Sequence, residues 1–412
     1  MVSDIKHADK SKEGLLKIEW AKKHMPVLRS IEEDFRLHQP LKDVTIAVSI
    51  HLEAKTAYFC MVLAAGGADV YVTGSNPLST QDDVASALVT KGINVFAWYN
   101  ATATEYINHL KSVLDSSPEI IIDDGGDLVN LIHSEYQHLL KNIKGGCEET
   151  TTGILRLKAL DSIDELHLPM MLVNDAKSKH LFDNRYGTGQ SVWDAINHTT
   201  NLIVASKTVV VAGYGWCGKG VAMRAKGLGA NVVITEIDAI KAVEAKMDGF
   251  SVLPMKRAAE IGDVFITVTG CKDVIPYSVM LMMKDSAILC NAGHFNVEIA
   301  MDELESKKIS KTPVRKNIKA YLLENNKTIH VLAQGRLVNL AAGDGHPVEI
   351  MDMSFSLQAL CANYINNHKL TKGIYNVPEE VDQEVAIRKL SSMEIEIDQL
   401  TEDQKKYLNL QD

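Results

Sequence analysis

The sequence has little cysteine, no long apolar run and no excess of positive charge. Its 412 residues include six cysteines (Cys60, Cys147, Cys217, Cys271, Cys290 and Cys361), and none of them forms a C-x-x-C pair. This excludes zinc-knuckle and thioredoxin-like spacings; six reduced thiols, no metal set and a cytoplasmic location are expected. The N-terminus, MVSDIKHADKSKEG, is polar and has no apolar stretch of the signal-peptide kind. The apolar runs are of strand length, so no membrane partner is expected. Lys and Arg number 43 against 53 Asp and Glu, a formal net charge of −10. That balance lacks the basic footprint of a nucleic-acid binder, and none is expected as a partner. Neither repeats nor low-complexity tracts occur. The 46% hydrophobic and 23% charged content excludes a largely disordered chain.

What is present is an alternation. Short, apolar, β-branched runs at 44–49 (VTIAVS), 69–72, 119–122 (EIII), 170–173, 208–211 (TVVV), 231–235 (NVVIT), 263–268 (DVFITV) and 287–290 are separated by helical patterns. Near-continuous apolar runs followed by Gly, Asn or Asp and then a helix predict parallel strands buried on both faces. The expected fold class is α/β: two doubly wound, parallel-sheet (Rossmann-like) domains plus a small C-terminal helical segment. One series runs over 44–173. The second begins at 208, after a helical stretch at 191–205, with a glycine-bearing joint at 183–190. A long helix is expected from 348, and a charged helical appendage over 378–412.

The run 208–211 leads into Gly213-Tyr-Gly215-Trp-Cys-Gly218, a G-x-G-x-x-G pattern that opens a helix. A second strand then ends in Glu236. Strand, glycines, helix and acid together are the context of a dinucleotide site. The first glycine makes the turn, the second admits the pyrophosphate and the third allows close helix packing. The pyrophosphate then meets the helix N-terminus. Glu236 accepts from ribose hydroxyls and repels a 2′-phosphate, and Ile237 supplies no arginine, so the expected cofactor is NAD rather than NADP.

Polar clusters sit where other apolar runs end. Asp123, Asp124 and Asp127 surround Gly125 and Gly126; Glu148 and Glu149 precede Thr150, Thr151 and Thr152; Asn174 and Asp175 close another run. Lys179 and Asp183 are four apart, suited to pairing on a helix. The Asp123–Asp127 motif alone also reads as a solvated acidic turn, and His294 or His346 alone as structural.

Taken in order, NPLSTQDDVA (76–85), IIDDGGDLVNLIH (121–133), EETTTG (148–153), KHLFDNRYG (179–187), VVVAGYGWCGKG (209–220), TEID (235–238), NAGHF (291–295) and GRLVNLAAGDGHP (335–347) resemble the S-adenosylhomocysteine hydrolase family. The resemblance implies reversible, NAD-dependent cleavage of the C5′–S bond of a nucleosyl-homocysteine. The 3′-OH is oxidised, C4′ is deprotonated, the thiol leaves, water adds and the ketone is reduced again. It implies a substrate-binding domain over 1–185, completed by about 346–376, an NAD-binding domain over 186–345, and a C-terminal oligomerisation segment over 377–412. A homotetramer is implied.

By the same resemblance Lys179 and Asp183 flank the 3′-OH, with Lys179 as its base once burial or neighbouring charge has lowered its pKa. Asp124 lies near C4′ and C5′, and Glu149 near the ribose hydroxyls. His51 and His294 serve the leaving group and the water. Thr150, Thr151, Thr152, Asn184, Asn291 and Asn339 contact the cofactor, and His346 sits on a loop that gates the substrate channel.

The chain departs from the family in three places. Thr188 stands where many members have Cys beside the nicotinamide. The sequence matches long-tailed members through LTEDQKKYL (400–408) and ends at Asp412, so a short-tailed form is expected. The purine-recognition pattern H-x-T-x-E/Q-T reads His51-Leu-Glu53-Ala-Lys55-Thr56, and Asp344 replaces a common Met. Glu53, Lys55, Thr56, Asp344 and His346 are therefore expected at the substrate. Lys55 can donate to a purine O6 and Glu53 can accept from N1–H, which suits hypoxanthine better than adenine. Two other readings are an NAD-dependent oxidoreductase with net hydride transfer and a catalytically silent NAD-binding relative. The presence of Asp124, Lys179, Asp183 and His294 argues against the silent relative.

Overall fold

The computed structural model describes residues 3–409. Among the described residues, fifteen strands form two sheets. They are β1 (Thr45–Ser49), β2 (Asp69–Thr73), β3 (Asn94–Val95), β4 (Ile120–Asp123), β5 (Gly145–Glu148), β6 (Pro169–Leu172), β7 (Thr208–Ala212), β8 (Asn231–Thr235), β9 (Ser251–Val252), β10 (Val264–Thr267), β11 (Ala287–Asn291), β12 (Ser310–Arg315), β13 (Ile318–Leu322), β14 (Thr328–Leu332) and β15 (Gly373–Asn376). The first sheet has the order β15-β6-β5-β4-β1-β2-β3, and every neighbouring pair is parallel. The second has the order β12-β13-β14-β11-β10-β7-β8-β9. From β14 to β9 it is parallel, as expected, and it carries an antiparallel edge, because β13 runs antiparallel to both β12 and β14.

Strand alternation explains why the central runs are apolar throughout. Ile46, Val48, Ile120 and Ile122 enter one core, while Ala47 and Ile121 enter another on the opposite face. In the second sheet Val209, Val211, Val264 and Ile266 face one way and Val210 and Phe265 the other. Each sheet is covered on both sides, as parallel sheets require.

After β14 the chain returns to the first sheet. Helix Val348–Asn367 buries Met353, Phe355, Leu357, Cys361 and Ile365 in its core, and β15 extends the sheet beside β6. The C-terminal segment is not one continuous helical appendage. Helix Glu379–Ser392 docks on the first core through Val381 and Val385, and Arg388 pairs with Asp34. Residues 393–401 are irregular and precede a short helix, Glu402–Tyr407; the last three residues of the expected segment lie outside the described range. Among the described residues, no helix is long and apolar enough to cross a membrane.

The joint read at 183–190 is helical throughout. A π-helical stretch, His180–Gly187, runs directly into helix Thr188–Thr200. Its two glycines serve close packing: a Cβ on Gly187 would lie 2.9 Å from His346 Nδ1, and one on Gly189 would lie 2.7 Å from the Gly220 backbone.

Candidate active site

Both sheets change winding direction at one point, between β1 and β4 in the first and between β7 and β10 in the second. Ligands of open α/β sheets bind beyond the carboxyl ends of strands at such points. One cavity of about 1220 Å³ joins the two, lined from the first sheet by His51 and Asp124 and from the second by Gly213 and Thr269.

On the first side, His51 follows β1. The Ser79 hydroxyl donates to the Asn76 carbonyl oxygen at 2.9 Å, so it accepts from His51 Nδ1–H at 2.6 Å. That bond fixes the tautomer and leaves Nε2 open, 3.5 Å from Asp124 Oδ2. Burial holds the His51 pKa below its ordinary value, so the ring is a neutral base. Asp124 Oδ2 also accepts from Ser75 Oγ at 3.0 Å, while its buried Oδ1 has no protein partner. His294 closes over Gly125, whose missing Cβ would sit 3.1 Å from His294 Nε2. His51, Asp124 and His294 bring one ligand-type atom each within 4.8 Å of one another, so the trio could also hold a metal ion.

The acidic motifs split by role. Asp124 and Glu149 line the cavity, whereas Asp123 and Glu148 stand buried behind them. Asp123 accepts from the Asp124 and Val129 N–H groups, and burial pushes its pKa up to about 7. Glu148 Oε1 accepts from Gly125 N–H, Thr150 N–H and Thr150 Oγ1. A Cβ on Gly153 would fall 2.0 Å from the Glu148 carboxyl carbon, which is why glycine ends EETTTG. Asp127 turns away to Arg156 and Tyr106. One carboxylate from each motif thus reaches the cavity.

Lys179 is buried among acceptors. Its Nζ donates to Asn174 Oδ1 at 3.1 Å and Asn184 Oδ1 at 2.9 Å, and lies 3.3 Å from Asp183 Oδ2 and 3.4 Å from Glu149 Oε1. Burial alone would lower its pKa, but Asp183 and Glu149 outweigh burial and raise it. This corrects the expectation of a lowered pKa: Lys179 is an ammonium here. Burial pushes the Glu149 carboxyl up to about 7 against the opposing pull of Lys179. Burial would raise Asp183 too, yet Lys179 and His346 hold it well below the usual range. Asp183 bonds His346 Nδ1 and accepts from Ser354 Oγ, and Gln358 Nε2 donates to Glu149 Oε2 at 2.6 Å. Ser79, inside NPLSTQDDVA but without a role there, and Ser354 and Gln358, outside every motif, are supports that the sequence did not reveal.

Glu53 is the N-cap of helix Ala54–Ala65 and accepts from Lys55 N–H and Thr56 N–H. Lys55 Nζ lies 2.9 Å from Glu53 Oε2 and donates to the Asp344 carbonyl at 3.2 Å. Glu53, Lys55 and Thr56 all line the cavity. Asp344, expected at the substrate, does not line the cavity: it is exposed, and its backbone oxygen serves as an acceptor for Lys55.

On the second side the residues fit a dinucleotide. Gly213 has φ +103°, a Cβ on Gly215 would meet nothing within 4 Å, and one on Gly218 would strike the Gly213 carbonyl at 2.1 Å. Helix Trp216–Gly227 opens on this cradle. Glu236 is fixed by N–H groups of Tyr214 and Ile237, both at 2.7 Å. Thr150, Thr151, Thr152, Asn184 and Asn339 line the wall. Asn339 Nδ2 donates to Ser191 Oγ, leaving a buried Oδ1 without a partner, an acceptor suited to a carboxamide. Asn291 is not in the wall: its amide holds the turn that presents His294, bonding Gly293 and Phe295. Thr188 lies 3.5 Å from Cys217 Sγ and 3.3 Å from His346 Nε2, so a thiol stands beside Thr188 after all.

Residues 1–138 match the family model described as S-adenosyl-L-homocysteine hydrolase, and residues 184–345 the one described as S-adenosyl-L-homocysteine hydrolase, NAD binding domain. The chain is 58% identical over 399 residues to an S-inosyl-L-homocysteine hydrolase of Methanocaldococcus jannaschii, covering 96% of each chain. It is 55% identical over 397 residues to an adenosylhomocysteinase of Thermotoga maritima, covering 96% of this chain and 98% of that one. Among solved structures, a dipicolinate synthase from Bacillus halodurans aligns with TM-score 0.50 at 13% identity, over 80% of this chain and 100% of that one, a likeness of fold alone.

Proposed function

The chain belongs to the S-adenosyl-L-homocysteine hydrolase family and is an NAD-dependent hydrolase of a nucleosyl-homocysteine thioether, and from that premise we propose that the inosyl compound is its preferred substrate. Overall similarity does not decide the base, because relatives named for either nucleoside stand at 58% and 55% identity. The Glu53–Lys55 pair carries the reading. An ammonium offers donors only and a carboxylate acceptors only. Side by side at the cavity wall they complement O6 and N1–H of hypoxanthine. Adenine, with N6–H₂ and an unprotonated N1, would set donor against donor and acceptor against acceptor.

The geometry supports the following site roles. Asp183 and Lys179 receive the ribose 3′-OH. Lys179 starts as an ammonium, so it acts as a base only after passing a proton on. Of its two carboxylate neighbours Glu149, 3.4 Å away with its pKa near 7, is the stronger acceptor, although the proton moves uphill from an ammonium whose own pKa is raised. Bound NAD supplies reversible two-electron oxidation at C3′. His51 Nε2 and Asp124 face C4′ and C5′ and exchange protons with carbon and the leaving thiolate, and His294 shields them from bulk water. Self-association is supported by the exposed apolar side chains of Ile395, Ile397, Leu400 and Leu408 in the C-terminal segment.

The test is a substrate analogue lacking the 3′-OH. It binds, as a competitive inhibitor, but releases no homocysteine. Release near the parent rate would refute oxidation at C3′.

A further inference from the structure

Lys55 faces two ways. Its backbone N–H is committed to the Glu53 cap, which fixes the root of the side chain. Its ammonium, on a side chain 8% exposed, uses one donor on Glu53 and one on the Asp344 carbonyl. The third donor remains for a ligand in the cavity.

The Asp344 carbonyl belongs to the connection between helices Val338–Ala341 and Val348–Asn367. Gly345 turns it with φ +74° and donates its N–H to the Asn339 carbonyl at 2.9 Å. The next residue, His346, bonds Asp183 through Nδ1 and lies 3.3 Å from Thr188 Oγ1. Among the described residues, the hydrogen bonds tying 342–346 to chain outside the flanking helices are those three: from Lys55, to Asp183 and with Thr188. One short connection is therefore held at one end by the base pocket and at the other by the ribose-oxidising cluster.

We propose that Lys55 is a positioning residue for oxidation at C3′: by holding the Asp344 carbonyl it sets where His346 stands against Asp183. A charge-assisted bond in a buried site is a firm anchor. Without it the connection keeps only its own turn and the His346 contacts, and His346 is free to drift from Asp183. Misplacement of a catalytic constellation by about 1 Å can cost up to about 10²-fold. The inference rests on the family's oxidation chemistry, but it does not require that Lys55 choose the base.

The experiment compares wild-type holoenzyme with Lys55→Met and Lys55→Gln. The substrates are the inosyl thioether and a purine-riboside thioether with only hydrogen at C6, on which Lys55 has nothing to read. Two quantities are followed: the pre-steady-state rise of the reduced cofactor at C3′ oxidation, and amide hydrogen exchange across 341–350 in substrate-free enzyme. With the C6-unsubstituted compound, Lys55→Met should slow oxidation on the order of 10-fold with KM little changed, and should speed exchange in that segment. Lys55→Gln keeps an N–H for the carbonyl and should retain most of the rate and protection. Unchanged exchange in Lys55→Met, or an unchanged oxidation rate on the C6-unsubstituted compound, would overturn the positioning role. A wild-type preference for the adenosyl thioether would overturn the base reading and leave this result standing.

Discussion

Lys179 Nζ lies 3.3 Å from Asp183 Oδ2, four residues on in a π-helical stretch, and the pair is sealed at the junction of the two sheets. π-helical turns are rare and recur at functional sites. Lys179→Ala leaves the glycine cradle untouched, so the protein should retain NAD. Turnover should fall on the order of 10²-fold or more, as for a positioned proton-transfer group. Quantified bound cofactor and thiol release together check this.

Glu149 should give kcat/KM its ascending limb. Its carboxyl, pushed up to about 7, must be ionised to take the Lys179 proton. The rate constant should therefore rise through about pH 7 and then level off, and Glu149→Gln should flatten the rise and lower the plateau. Linkage has the opposite sense. A carboxyl whose folded pKa exceeds its unfolded value favours the fold below that unfolded value, and the contribution fades as pH rises through 7. Glu149→Gln should narrow the difference in Tm between pH 5 and pH 8.

Gly218→Ala should cost the cofactor site more than the fold. The added Cβ would lie 2.1 Å from the Gly213 carbonyl, so the turn must open. Overpacking of this kind costs about 1–3 kcal/mol. The purified variant should carry little NAD, measured after heat release, while keeping a cooperative thermal transition.

Glu236 should set the choice between NAD and NADP. Its carboxylate is fixed on backbone N–H groups at 2.7 Å, and Ile237 beside it is fully exposed. Glu236→Ser combined with Ile237→Arg removes a repelling charge and supplies a 2′-phosphate partner. Cofactor titration should show the preference moving toward NADP.

The strands of the two switch points were legible because each is an apolar, largely β-branched run buried on both faces, and β4 and β7 are closed at once by Asp123 and Gly213. β5 was not, since GGCE contains two glycines and no branched residue; Gly146 is needed there because a Cβ would meet Ile121 and Met170 side chains at 2.4 and 2.6 Å. The β12–β14 meander was missed because β12 is exposed along its whole length and has no apolar face to read. That Asp124, Glu149 and Lys179 stand out as a polar set was visible in their motifs, and all three line the cavity. The protonation of Lys179 was not, because its sign depends on two carboxylates meeting one ammonium across different elements. Asn291 looked like a ligand since it ends a strand beside His294, but a strand-end amide serves equally to hold the turn.

The most direct test of the base reading is the ratio of kcat/KM for the inosyl and adenosyl thioethers, in wild type and in Glu53→Thr combined with Lys55→Glu. Threonine keeps the helix cap, so the exchange alters the base contacts with little cost to the helix. Wild type should favour the inosyl compound, by up to about 10⁴-fold where buried polar groups would otherwise be left unpaired, and the double variant should shift toward the adenosyl compound. A wild type that prefers the adenosyl thioether, with a ratio unmoved in the double variant, would contradict the assignment of Glu53 and Lys55 to the purine.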